Sequence, residues 1–253
     1  MAVIKKFKKI NYDIFHKTTS IQTKIINNNN FTYRILLKEI NKLLDGHEKI
    51  LDIGCGAGTL SLYYASKDHN VLGIDISKKA VDTAKESAAF LGLKKVKFQQ
   101  ADFPNKIPKE KFDFVIFSEV LEHLEDDQLA LDQINNTLYP GGIMFLSTPS
   151  IKAPLHRLNL TKKFDKEVGH LRRYSIEELS RLINKSGFRI LEVKKSEGVL
   201  RNFLFINPVA GKFVRFIKFF LSDVVTFVDN LTIPIFGESN YIVVAKKVKE
   251  IKT

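Results

Sequence analysis

The stretch Ser118-Glu119-Val120-Leu121-Glu122-His123-Leu124 sets two carboxylates and an imidazole at positions i, i+3 and i+4. If it turns helically, Glu119, Glu122 and His123 share one face. Such a face can hold a hard divalent ion with open positions, or leave His123 as a general base. A second histidine follows in Gly169-His170-Leu171-Arg172-Arg173-Tyr174, directly before the helix start Ser175-Ile176-Glu177-Glu178. A purely electrostatic reading also fits: acids at 119, 122, 125, 126 and 127 enrich the beginning of a following helix, where the dipole favours negative charge.

A second constellation is Ile50-Leu51-Asp52-Ile53-Gly54-Cys55-Gly56-Ala57-Gly58, an apolar strand running into glycines and then a helical pattern. Glycines there let backbone approach a ligand where a side chain would collide. Asp75 follows Gly54 by 21 residues, at the end of the next strand, where a carboxylate suits a ribose diol. Gln100-Ala101-Asp102-Phe103 offers a carboxylate for an exocyclic amine and a ring to lie on a purine. The glycine spacing is G-x-G-x-G, not the G-x-G-x-x-G of dinucleotide folds. Asp52 would repel a pyrophosphate but suits an ammonium or sulfonium ligand; alternatively it orients the amides of the loop.

Holding these groups requires a sheet. From residue 49 onward short Ile, Val and Phe runs alternate with helical periods, the pattern of βαβ units. Strands are expected at Lys49 to Cys55, Asn70 to Asp75, Val96 to Gln100, Phe112 to Ser118 and Gly142 to Ser147. Helices are expected at about 58 to 67, 77 to 91 and 126 to 138, with Ser77 as an N-cap, and at Ser175 to Ser186 behind a capping box. Phe188 to Ser196 and Tyr241 to Val248 read as a closing antiparallel pair. Ahead of the sheet, the stripe from Phe31 to Leu44 is helical.

Together these residues resemble a class I S-adenosylmethionine-dependent methyltransferase. The resemblance covers about 34 to 196 and is carried by Leu51 to Gly58, Asp75, Asp102, Phe112-Asp113-Phe114-Val115-Ile116 and Leu138-Tyr139-Pro140-Gly141-Gly142. It implies an α/β, Rossmann-like fold with a seven-stranded, mostly parallel sheet, helices on both faces and an antiparallel last strand. It also implies that Gly54, Gly56 and Gly58 line the methionine and ribose part of the cofactor, that Asp75 holds the ribose hydroxyls, and that Asp102 and Phe103 face the adenine. Asp52, Cys55, Ile76 and Ser118 complete the expected cofactor site. Arg34, 18 residues before Asp52, is placed like a cofactor-contacting arginine of the ubiquinone-biosynthesis O-methyltransferases.

The Glu-x-x-Glu-His stretch is similar to that of ubiquinone-type enzymes, where it is associated with a divalent metal. The later histidine is similar to one in small-RNA 3′-end 2′-O-methyltransferases. Lipid, sugar and quinone methyltransferases carry a similar Gly-His-x-Arg-x-aromatic stretch that only covers the active site. The expected ligands of an ion such as Mg are Glu119, Glu122, His123 and His170, with His123, Glu122 and His170 as the catalytic set. The expected reaction is O-methylation of a small or lipophilic acceptor, quinol-like or lipid. RNA ribose methylation and a non-catalytic cofactor-binding scaffold are the alternatives.

The formal net charge of +12 resides in residues 1 to 10, 194 to 218 and 246 to 253, which leaves a neutral remainder and disfavours a uniformly basic nucleic-acid coat. One cysteine excludes an internal disulfide, and the start lacks a signal peptide's apolar run, which points to a reducing, cytoplasmic setting. The expected organisation is an N-terminal helical extension (1–47), a core (48–198), an amphipathic helical insertion (199–237), and a last strand with a basic tail (238–253). In the insertion, Val209, Phe213, Phe216, Ile217, Phe220, Leu221, Val224, Phe227 and Val228 form an apolar stripe flanked by Lys212, Arg215 and Lys218. Core packing, an anionic membrane surface and a homodimer are the three fates such a stripe allows.

Overall fold

A computed structural model describes residues 19–46, 48–207, 209–210 and 220–248. The lysines of residues 1 to 10, the tail beyond Val248, and the Lys212, Phe213, Arg215, Phe216, Ile217 and Lys218 part of the insertion lie outside these. Seven strands form one sheet: β1 (Lys49–Ile53), β2 (Asn70–Asp75), β3 (Val96–Gln100), β4 (Phe112–Ser118), β5 (Leu138–Pro149), β6 (Phe188–Ser196) and β7 (Asn240–Lys247). Their order is β3-β2-β1-β4-β5-β7-β6, parallel from β3 to β5, with β7 antiparallel to both β5 and β6. The expected mostly parallel sheet with an antiparallel last strand is therefore present.

Both faces of the sheet are covered, so its central strands are predominantly apolar. In β4, Val115 and Phe117 join one buried cluster while Phe114 and Ile116 join the other. The described helices are α1 (Arg34–Ile40), α2 (Thr59–Ala65), α3 (Lys78–Phe90), α4 (Asp127–Thr137), α5 (Pro154–Arg157), α6 (Lys162–Val168), α7 (Ile176–Lys185), α8 (Val199–Ile206) and α9 (Phe220–Phe236). Ser77 caps α3 and Ser175 caps α7, each side chain accepting from the amide three residues on at 3.1 Å. Asp126 caps α4 in the same way, accepting from Leu129 N at 2.8 Å.

Several boundaries differ from expectation, among them that of the helix expected over Phe31 to Leu44, of which only Arg34–Ile40 is α-helical. β1 ends at Ile53, because Gly54 and Cys55 turn back to donate to Ile74 O at 2.8 and 3.0 Å. β5 extends through Tyr139-Pro140-Gly141 and on to Pro149, held by β4 on one side and β7 on the other. Two helices of the insertion are described over their length: α8 packs back onto the N-terminal segment, with the Arg201 guanidinium 4.3 Å from the Phe31 ring, and α9 lies over α8.

Candidate active site

The glycine turn sits at the carboxyl edge of β1, where open α/β sheets bind ligands. Gly54 has φ +71, and a Cβ there would come within 2.4 Å of Val120 Cγ2. Asp75 closes the turn from β2: its Oδ2 accepts from Gly56 N and its Oδ1 from Ser77 N, both at 2.8 Å. The result is a cavity of about 410 Å³ lined by Gly54, Gly56, Asp75, Ile76, Phe103 and Ser118, together with Tyr33, Val120, His123 and Leu124. A larger cavity of about 600 Å³ adjoins it and shares Tyr33, Gly54, Ser118, Glu119 and Val168.

Asp52 and Cys55 face the larger cavity. The Asp52 carboxylate is buried and accepts from Ser61 Oγ at 2.6 Å. Burial, opposed by that hydrogen bond and reinforced by the charge of Asp75, raises it from 3.8 to about 6. The neighbouring cavity wall includes Tyr33, which bonds Thr59 and lies near Asp52.

Three expected cofactor residues line neither cavity. Arg34 pairs with Asp223 of α9 and donates to Ser222 Oγ at 2.7 Å, so its guanidinium clasps the insertion and lines neither cavity. Gly58 also lines neither; it begins α2 at φ +83, and a Cβ there would meet the Phe98 ring at 2.6 Å, so it serves close packing of helix on sheet. Asp102 stands outside both linings, accepting from Asn105 Nδ2 at 3.4 Å, while its neighbours Ala101 and Phe103 face the smaller cavity.

The Glu-x-x-Glu-His stretch does not form the expected helical face. Glu119 adopts φ +56, a left-handed conformation rare for a side chain of its size, and a short 3-10 turn covers only Leu121–His123. Glu119 is thereby turned from its partners: its Oε1 accepts from Ser147 Oγ and from Asn240 Nδ2, both at 2.7 Å. The electrostatic reading holds for Asp126 and Asp127, which cap and open α4, but not for Glu119 and Glu122, which precede it.

What the chain brings together is Glu122, His123 and His170, with one ligand atom from each within 4.8 Å of the others. Glu122 Oε1 lies 3.9 Å from His123 Nε2 and 3.8 Å from His170 Nε2. His123 Nδ1 donates to Gly169 O at 3.1 Å and His170 Nδ1 to Asp165 Oδ1 at 2.9 Å. Those bonds orient the two rings so that each Nε2 lies within 3.9 Å of Glu122 Oε1. Burial, with His170 beside it, lowers His123 to about 4, and burial, with Glu119 nearby, holds Glu122 well above the usual carboxylate range. Glu122 Oε2 accepts from Thr148 Oγ1 at 3.1 Å, but Oε1 has no hydrogen-bond partner although the side chain is fully buried.

Comparison with known proteins gives this geometry a family. The sequence profile of the methyltransferase domain family matches residues 44–192. The chain belongs to that family. Among its relatives are the ubiquinone biosynthesis O-methyltransferases of Pelagibacter ubique, 37% identical over 40% of this chain and 41% of that protein, and of Actinobacillus pleuropneumoniae, 34% identical over 40% and 45%. The matched region thus spans less than half the length of these curated relatives. Similar folds include an S-adenosylmethionine-dependent methyltransferase from Mesorhizobium loti (TM-score 0.59, 18% identity, 83% of this chain and 96% of that one). Another is phosphoethanolamine N-methyltransferase 2 from Haemonchus contortus (TM-score 0.64, 17% identity, 95% and 60%).

As a class I methyltransferase, the protein takes S-adenosylmethionine as its cofactor, and the smaller cavity lies directly behind the glycine turn. The donor set beside it fits a divalent ion: an unpartnered buried carboxylate oxygen and two imidazole Nε2 atoms are the ligands that would hold one. With Glu119 diverted, imidazole outnumbers carboxylate, which suits Mn, Fe, Co or Zn better than Mg. Asp165 was not foreseen from the sequence. It takes His170 Nδ1 and two nitrogens of Arg173, at 2.6 and 3.3 Å; burial pushes its carboxyl up, but the bonds from His170, Arg173 and Thr161 outweigh that and hold it well below the usual range. Its signal in the sequence is position alone, on α6, which Gly169 ends just before His170. Asn202, Phe205 and Ile206 of α8 were also missed; they wall the larger cavity.

Proposed function

We propose that this protein methylates a hydroxyl of a small lipophilic acceptor, of the quinol or catechol class, with S-adenosylmethionine as donor. The observation that carries this is the pair of adjoining cavities with the Glu122, His123 and His170 cluster at their boundary: His123 faces the cofactor cavity and His170 the larger one. Ile35, Leu36, Leu60, Phe164, Phe205 and Ile206 give the larger cavity an apolar wall suited to such an acceptor. The names of the ubiquinone biosynthesis relatives support the same class.

S-adenosylmethionine supplies an electrophilic methyl group on a sulfonium centre. The protein's part is to hold the acceptor oxygen close to that carbon, and alignment of this kind contributes several kcal/mol. Glu122, His123 and His170 would hold a divalent ion, whose contribution is to lower the pKa of the acceptor hydroxyl. Asp165 and Gly169 O keep the two rings turned toward that point.

The test is methyl transfer from labelled donor to separate quinols, 3′-terminal RNA oligonucleotides and phosphoethanolamine. Label in the quinol, strengthened by a prenyl tail, is the expected result. Label in RNA alone would replace this reading with ribose methylation, and S-adenosylhomocysteine binding without label in any of them would support the scaffold alternative.

A further inference from the structure

Helix α9 is built the wrong way round for a helix exposed to water. Its inner face carries the polar groups. Ser222 Oγ accepts from Arg34 Nη1 at 2.7 Å, Asp229 accepts from Gly198 N and Arg201 N at 2.7 and 2.9 Å, and Thr232 Oγ1 accepts from Val199 N at 3.2 Å. Its outer face carries Val224, Phe227, Val228, Leu231 and Ile235, which share one side at helical spacing. Phe227, Leu231 and Ile235 are 65%, 58% and 75% exposed. From Val224 to Phe236 the one charged residue is Asp229, which is buried. A helix that satisfies its polar side internally and turns its apolar side outward has the opposite of the usual amphipathic arrangement.

The surface at its end is basic. Arg157 Nη1 donates to Phe236 O at 3.5 Å, and Gly237 lies against Lys152 O, so the C-terminal end of α9 rests on the segment 152–157. On that segment Lys152 and Arg157 are exposed; the chain that follows exposes Leu158 and Leu160 and then, on α6, Lys162, Lys163 and Lys166 against the exposed acid Glu167, which pairs with Lys163 at 3.8 Å. An apolar helix face bordered by cations matches an anionic lipid surface, with acyl chains beneath and phosphates at the rim. A second copy of the chain would cover the apolar face but leave those cations without phosphates, and the dimer arm of the experiment below tests it.

We infer that the outer face of α9, with the basic segment at its end, docks this protein on an anionic membrane. The proposed contact is a surface one; no described helix is long and apolar enough to cross a membrane. The inference rests on this surface alone. Its consequence for a lipophilic acceptor rests on the function proposed above, since α8, beneath α9, walls the larger cavity with Phe205 and Ile206.

The experiment is co-sedimentation of the full chain with phosphatidylglycerol or phosphatidylcholine vesicles, for wild type and for Phe227→Glu/Leu231→Glu. Wild type is expected to pellet with phosphatidylglycerol and release at high salt, and the variant to lose about tenfold in binding. Four results would overturn the inference: no pelleting of wild type, equal pelleting of both forms, and a wild-type dimer that the variant dissolves are three. The fourth is a fall in the variant's Tm of more than about 5 °C, which would mean that the chain itself covers the stripe. Methyl transfer in detergent reports on the proposed function separately.

Discussion

Glu122 Oε1 lies 3.8 Å from His170 Nε2, although the two stand on opposite sides of β5 in the sequence. A backbone bond from Leu171 N to Glu122 O at 2.9 Å ties the two segments. Glu122→Gln keeps the shape of the side chain but removes the charge that a divalent ion requires. Isothermal titration of the protein with Mn2+ is expected to show a site that the variant weakens by at least tenfold, while S-adenosylhomocysteine affinity is unchanged. A wild-type protein that takes up neither Mn2+ nor Zn2+ would remove the ion from the cluster.

Asp165 positions His170 rather than touching either ligand. In Asp165→Asn the side-chain amide oxygen can still accept from His170 Nδ1, but the charge that binds Arg173 is gone. The expected result is a kcat roughly 10- to 100-fold lower with little change in cofactor affinity. An equal loss of kcat and stability in His170→Ala and Asp165→Asn, with no change in metal affinity, would make the pair purely structural.

Much of this was legible in the sequence, and what was not had a local physical cause. The strands from Asn70, Val96, Phe112 and Phe188 fall where the apolar runs place them, because a parallel sheet buried on both faces leaves a continuous signal. Glu119 was misplaced because periodicity assumes a helix, and a left-handed residue at the end of β4 reverses the direction of its side chain. Arg34 was misplaced because its partner Asp223 belongs to a distant helix that no spacing rule reaches. Asp165 and α8 entered the site through tertiary packing, which a single sequence does not display.

Asp52 predicts opposite effects of pH on stability and on binding. Its acid group is raised from 3.8 to about 6 in the folded protein, so the unfolded chain ionises first. Its contribution to stability is full below about 4 and is lost as pH rises to about 6, an effect on the order of 3 kcal/mol. Asp52 faces the larger cavity beside Gly54, which both cavities share, so a cationic cofactor group reaching past Gly54 would prefer the ionised form, and cofactor affinity is expected to rise through pH 6 and flatten above it. Asp52→Asn is expected to raise the Tm of the free protein at pH 8 and abolish the pH dependence of binding, as thermal melts and calorimetry would register. A wild-type affinity that is flat from pH 5 to 8 would separate Asp52 from the ligand.

Gly54→Ala places a methyl group within 2.4 Å of Val120 Cγ2 at a backbone angle of φ +71. Either the loop or the Glu119-Val120 segment must move, and both line the cofactor cavity. Cofactor affinity is expected to fall by tenfold or more, and acceptor binding with it, because Gly54 and Glu119 line the larger cavity as well. Tight S-adenosylhomocysteine binding by this variant would show that the cofactor does not approach the turn.

Gly198→Ala tests the other half of the site. Gly198 has extended backbone, so the obstacle is space: a Cβ would meet Thr232 Oγ1 at 2.1 Å and the backbone oxygen of Asp229 at 2.5 Å. The hydroxyl can rotate away, but the carbonyl cannot, so α8 and α9 must separate. That separation shifts Asn202, Phe205 and Ile206, which face the larger cavity and not the smaller one. Overpacking of this kind costs about 1–3 kcal/mol, which should appear as a lower Tm. The acceptor KM is expected to rise severalfold while S-adenosylhomocysteine binding stays within a factor of two, because no cofactor-lining residue is carried by either helix. A variant in which both ligands weaken together would show that the insertion also controls the cofactor cavity, and the division of the two cavities between donor and acceptor would have to be abandoned.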